Sequence, residues 1–200
     1  MLYSLSNDFY TVKVMNKEKI TRHFKHLPVL CTERLVLRKI LPSDYEDMYE
    51  YASNDEVTKY LLWSTHPSKE YTKQFIEYLQ SRYKVGDFYD WAITLRDTGK
   101  MIGTCGFSKF DYSNNSAEIG YVLNSDYWKK GYCSEAVSKM IEFGFESLKL
   151  HRIEARYMKD NIRSRHVMEK CGMIYEGTMK SAVYAKNKYW DVGICAITRG

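Results

Sequence analysis

Proline is scarce in this 200-residue chain, at 3, and glycine is modest, at 11. Those counts exclude collagen-like and low-complexity architectures. No stretch approaches the roughly 20 consecutive apolar residues that a membrane-spanning helix needs, so no membrane segment is expected. Met1–Lys13 lacks an uninterrupted apolar core and a small-residue cleavage site, so no signal peptide is expected either. The five cysteines (Cys31, Cys105, Cys133, Cys171, Cys195) never come closer than 24 residues to one another. That spacing excludes CxxC zinc and thioredoxin-type patterns, predicts no metal site, and fits reduced thiols in the cytoplasm. Neither a GxxxxGK[ST] loop nor a GxGxxG turn occurs. The net charge is only +5, from 30 Lys+Arg against 25 Asp+Glu scattered along the chain. With no nucleic-acid motif among them, no direct nucleic-acid partner is expected.

What is present suits one globular domain: 44% hydrophobic and 28% charged residues in a chain long enough for a buried core. Tyrosine is unusual, at 18 against 8 Phe and 4 Trp. A phenol packs and hydrogen-bonds at once, which suits a pocket or an interface. Residues 1–27 read as an extension, with a strand over Phe9–Met15 and a polar helix over Asn16–His26. Residues 28–200 follow a regular pattern. Leu35–Arg38 reads as a strand, and Ser43 with Glu46 has the spacing of a capping box for a helix running to Ala52. Ser68 is the expected cap of a helix to Tyr83. Phe88–Leu95 and Met101–Phe107 flank the turn Thr98-Gly-Lys100 as a hairpin, and Ala117–Leu123 is a further strand. Val137, Met140, Ile141, Gly144 and Leu148 share one face of a helix over Ser134–Leu148. Strands over His151–Met158, Met173–Met179 and Trp190–Thr198 and a helix over Asn161–Lys170 complete the series. Hairpins followed by strand–helix–strand–helix–strand predict a mixed α+β sheet with helices on both faces.

The chemistry concentrates between Ala117 and Glu135. There a strand ends, a basic turn follows, and the amphipathic helix begins. Free amides from Lys130 to Ser134 would converge on one spot at the positive end of the helix dipole. Gly131 permits close approach of an anion, and Lys129 and Lys130 add charge. The expected site is a phosphate or pyrophosphate cradle.

The turn Trp128-Lys-Lys-Gly-Tyr-Cys133 resembles the acetyl-CoA pyrophosphate loop, Q/R-x-x-G-x-G/A, of the GNAT N-acetyltransferases. Thr32-Glu-Arg-Leu35, Ala117-Glu-Ile-Gly-Tyr121, Leu150-His-Arg-Ile-Glu154, Asn161-Ile-Arg-Ser164 and Glu169-Lys-Cys-Gly172 are similar to the same superfamily. In order and spacing they resemble its branch named for acetylating ribosomal-protein N-termini. The resemblance spans about residues 30–198. It departs from the pattern at Trp128, at Cys133, and at Met168, where many relatives carry a tyrosine general acid.

The resemblance implies a GNAT fold, in which a mostly antiparallel twisted sheet splays open between two strands. It also implies an acetyl-CoA-dependent N-acetyltransferase acting in a ternary complex and releasing CoA, or alternatively an acyl-CoA sensor with little turnover. The acceptor would be a primary amine, on a protein N-terminus or on a small molecule, and a homodimer is left open. Cofactor contacts are expected from Lys129, Lys130, Gly131, Tyr132, Cys133 and Ser134. Backbone at Val122 or Leu123, and Asn161 and Ser164 at the next helix start, are expected to join them. Transfer to an amine needs a base and an acid. Glu118 is the expected base, or else a strand carboxylate that orients the amine. Ser164 is the expected acid, with Tyr157 and Tyr175 as unranked alternatives. Trp63 and His66 resemble the branch's substrate-side loop, Asp191 is a further expected amine contact, and the acceptor pocket is expected from residues 45–63 and 184–190.

Overall fold

A computed structural model describes residues 16–199; the strand expected over Phe9–Met15 lies outside them. The chain runs α1 (Lys17–Lys25), β1 (Leu30–Cys31), β2 (Leu35–Arg38), α2 (Tyr45–Ala52), α3 (Asp55–Thr58), α4 (Lys69–Val85), β3 (Asp90–Leu95) and β4 (Met101–Asp111). It continues through β5 (Ser116–Leu123), α5 (Tyr132–Glu146), β6 (Arg152–Met158), α6 (Ile162–Lys170), β7 (Ile174–Ala185) and β8 (Lys188–Thr198). The strands form one sheet in the order β1-β2-β3-β4-β5-β6-β8-β7. Every pairing is antiparallel except β5 with β6. That parallel pairing covers only Ser116↔Arg152 to Ile119↔Ala155. Beyond it the two strands part, as the resemblance implied.

Helices cover both faces of the sheet, so β3 is buried on both sides from Trp91 to Thr94, the burial expected of a strand covered twice. Phe143 of α5 packs on Trp91 on one face, and α2 and α4 lie on the other. Phe24 of α1 is fully buried among Tyr89, Trp91, Phe107, Phe110 and Phe143. The stretch read as an extension therefore supplies core side chains, because the amphipathic spacing of Ile20 and Phe24 aims both inward.

Two local expectations change. Ser43 does not cap α2: Pro42–Asp44 is a 3-10 turn. There Asp44 accepts a hydrogen bond from the Leu41 amide at 2.7 Å and pairs with Arg38 at 2.7 Å. The carboxylate wins because it serves a backbone donor and a guanidinium together. The closing hairpin is also longer than expected. Lys186 and Asn187 both take positive φ, 53° and 62°, the two-residue turn that matches strand twist. Ser68 does cap α4, accepting from the Tyr71 amide at 3.1 Å.

Candidate active site

After β5 the chain turns through Ser125–Tyr127 and passes Lys129 and Gly131, both left-handed at φ 62° and 83°. Two left-handed residues bracketing Lys130 fold successive amides inward, the geometry of an anion nest. Among the described residues the amides of 130–134 meet no acceptor; the first to do so is Glu135, which donates to the Gly131 carbonyl at 3.1 Å. The Ser134 hydroxyl also donates to that carbonyl, at 3.0 Å. These amides at the start of a 15-residue helix fit a pyrophosphate.

The loop is fastened from β2. Arg34 donates to the Lys130 carbonyl at 3.1 Å, pairs with Glu135 at 2.6 Å, and lies 4.4 Å from the Tyr132 ring centre. Glu135 also accepts from the Thr32 hydroxyl at 2.6 Å and the Arg34 amide at 2.9 Å. Burial raises the Glu135 carboxyl, but the hydrogen bonds from Thr32 and Arg34 outweigh it and leave it below its ordinary value. Trp128 donates its indole N–H to the Leu123 carbonyl at 2.8 Å and is covered by Arg163 at 4.0 Å. The departure at 128 thus builds a rigid wall. Burial pushes the Cys133 thiol well up, the opposite of what an activated nucleophile requires.

Where β5 and β6 part, a cleft of about 320 Å³ opens. Of the expected cofactor residues, Val122, Leu123, Lys129, Gly131, Cys133, Ser134, Asn161 and Ser164 line it. Lys130 and Tyr132 contribute backbone to the nest, while their side chains turn to Tyr127 and Arg34. Asn161 caps α6, accepting from the Ser164 amide at 3.2 Å. The Tyr121 hydroxyl lies 2.9 Å from both the Ser164 carbonyl and the Ser164 hydroxyl. With Tyr121 donating to the carbonyl, the Ser164 hydroxyl keeps its own proton, which it can give to the Tyr121 oxygen or to a group in the cleft. Met168 is buried in the core. Neither Tyr157, whose ring covers Gly193, nor Tyr175, bonded to Thr178, lines the cleft.

A second cavity, about 260 Å³, lies between the sheet and α2 and α4. Trp63 and His66 come together in its wall, 5.4 Å apart. Burial lowers the pKa of His66, whose Nδ1 is 2.9 Å from the Thr72 hydroxyl. Asp90 also faces this cavity and was not anticipated. Its only sequence signal is a carboxylate opening an apolar strand. Val122 lines both the cavity and the cleft, so the two meet there.

Two expected residues lie apart. Glu118 pairs with Arg156 at 3.2 Å and lines neither cavity; burial raises its carboxyl while Arg156 opposes the rise. Asp191 accepts from Lys180 at 3.0 Å and from the Ser181 amide at 3.0 Å. Those bonds hold it to the β7–β8 hairpin. Tyr184 and Tyr189 face each other near its tip, exposed.

A family model described as an acetyltransferase (GNAT) domain matches residues 34–174. An uncharacterized N-acetyltransferase of Bacillus licheniformis, p20, is 36% identical over 166 residues, 83% of this chain and 93% of its own. The crystal structure of a GNAT-family acetyltransferase from Bacillus anthracis matches with a TM-score of 0.76 at 33% identity, covering 86% of this chain and 98% of that one. The ribosomal L7/L12 α-N-protein acetyltransferase RimL, solved in complex with coenzyme A, shares the fold with a TM-score of 0.72 at 22% identity, over 86% of this chain and 98% of its own.

Proposed function

The chain belongs to the acetyltransferase (GNAT) family, and on that premise we propose that it moves the acetyl group of acetyl-CoA directly to a primary amine, both substrates being bound together. The observation that carries this reading is the meeting at Val122 of two cavities, one of which ends in five unpaired amides. RimL's complex with coenzyme A supports the choice of cosubstrate. Acetyl-CoA supplies an acetyl group activated as a thioester.

The residues divide the remaining work. The amides of 130–134 and the positive end of α5 hold the pyrophosphate, with Lys129 adding charge. The β6-facing edge of residues 120–123, which has no strand partner among the described residues, receives the pantetheine arm and offers an amide to the thioester oxygen. Ser164, whose hydroxyl lies 2.9 Å from that of Tyr121, turns its proton to the departing sulfur. Glu118, tied to Arg156, stays outside this proton path. The five free cysteines suit a reducing cytoplasm.

The test is calorimetric titration with acetyl-CoA, CoA and ATP, followed by a thiol-release assay over an amine panel. Micromolar binding of acetyl-CoA and CoA but not ATP, with many turnovers on an amine, is the expected result. No heat with acetyl-CoA defeats the reading, and binding without turnover returns the protein to the sensor class. Glu135→Ala should weaken acetyl-CoA binding about tenfold. It removes the acceptor of three hydrogen bonds that fasten the loop, and charge-assisted bonds are worth roughly 1.5–3 kcal/mol each, partly offset by solvent. A dissociation constant within twofold of wild type would show that the Arg34–Glu135 pair does not hold the nest.

A further inference from the structure

The inner cavity contains an ionisable group that the proposed chemistry has not used. Its walls are apolar and aromatic, from Met48, Trp63, Tyr71, Phe75 and Phe88, and among the described residues neither lysine nor arginine lines it. Among the described residues nothing donates a hydrogen bond or ion pair to the Asp90 carboxylate, and burial pushes it up to about 7. The titratable groups around it are Tyr51 of α2, Tyr83 of α4, Cys105 of β4 and, across the cavity, His66 and Tyr71. Burial keeps Tyr51, Tyr83 and Cys105 protonated and neutral, and favours neutral His66. A carboxylate without a counter-ion is costly in such surroundings. A bound cation would relieve that cost, and aromatic walls attract the same sign of charge.

The sheet register connects this carboxylate to the reaction centre. Asp90 lies opposite Gly106, and Gly106 opposite Gly120. A Cβ at Gly106 would collide with Oδ1 of Asp90, so the carboxylate rests over bare backbone; at Gly120 a Cβ would meet nothing within 4 Å. Two glycines thus leave a floor free of side chains from Asp90 to β5, strands being about 4.8 Å apart. Val122, shared by both cavities, is two residues further along β5.

We propose that Asp90 receives the ammonium group of the acceptor and takes the proton it must lose, and that the acceptor is a small primary amine on an apolar body. This deepens the acetyltransferase reading and rests on it. A peptide N-terminus fits the cavity poorly. Every peptide unit brings a donor and an acceptor that need partners, and besides Asp90 the walls offer few, chiefly Tyr51, Ser64, His66 and Thr104. The step balances. The ammonium gives one proton to Asp90, which passes it to solvent, and its nitrogen bonds to the acetyl carbon. As the carbon–sulfur bond breaks, the nitrogen sheds a second proton to solvent, the sulfur takes the Ser164 proton, and solvent returns one to Ser164.

The test uses butylamine, 2-phenylethylamine, 2-phenylethanol and a tetrapeptide with a free N-terminus, against wild type, Asp90→Asn and Asp90→Glu. Wild type should bind and acetylate at least one of the two amines, and neither bind the alcohol nor acetylate the tetrapeptide. Asp90→Asn should lose at least 100-fold in kcat/KM and at least tenfold in amine affinity, while acetyl-CoA affinity stays within twofold. Wild-type kcat/KM should fall as the pH drops through about 7, a limb absent in Asp90→Asn and restored in part by Asp90→Glu. Amine affinity and rate within threefold of wild type in Asp90→Asn, or a tetrapeptide preferred over both amines, would overturn the assignment. So would binding of neither amine. Absence of acetyl-CoA binding by wild type would instead bring down the acetyltransferase reading itself.

Discussion

Gly131→Glu is expected to weaken acetyl-CoA binding by at least 100-fold. Gly131 has φ of +83°, and a Cβ there would stand 3.3 Å from the Arg34 guanidinium that fastens the loop. A non-glycine residue in this region costs roughly 1–2 kcal/mol in backbone strain alone. The larger effect is electrostatic. A carboxylate beside the five amides of 130–134 competes for them and repels the pyrophosphate from a place shaped for one anion. Gly131→Asn separates the two terms, because asparagine tolerates the left-handed conformation and adds no charge. It should lose less than tenfold. Calorimetry of both variants, with circular dichroism to confirm the fold, provides the comparison. Unchanged affinity in Gly131→Glu would remove the nest from the cofactor site.

Phe24→Ala should lower the melting temperature by about 10 °C, although it lies outside the 34–174 span that matches the family model. The ring is fully buried, with five aromatic neighbours whose ring centres lie between 4.7 and 6.4 Å away. Truncating a buried phenylalanine costs about 3–5 kcal/mol through lost burial and the remaining cavity. In a domain of this size about 1 kcal/mol moves the midpoint by roughly 2–4 °C. Phe24→Leu, which keeps most of the apolar volume, should recover more than half of the loss. Thermal denaturation checks both. A shift under 2 °C for the alanine variant would mean that α1 is an appendage rather than part of the core.

Local signals explain the backbone geometry that was legible in the chain. The cradle consists of consecutive residues whose conformation follows from a strand end, a left-handed glycine and a helix start, so Lys129 to Ser134 could be located from the chain alone. Asn161 and Ser68 as caps are equally local. The hairpin strands followed from periodicity and turn residues, whereas the parting of β5 and β6 was implied by the family resemblance. Trp63 and His66 share a wall because they are three residues apart on one loop.

The other features depend on partners distant in the chain. Arg34 reaches Glu135 across 101 positions and Arg163 reaches Glu56 across 107. Asp90 and Val122 border one cavity only because β3, β4 and β5 align at Gly106 and Gly120. Glu118 had the right residue type on the right strand, but the approach of Arg156 from β6 committed it to an ion pair. Whether a carboxylate meets an arginine or an open cavity depends on strand register and on what packs above the sheet. Neighbouring residues carry neither piece of information. The run of open amides at the start of α5 was thus legible in the chain itself, whereas the inner cavity and its solitary Asp90 took shape only in the assembled sheet.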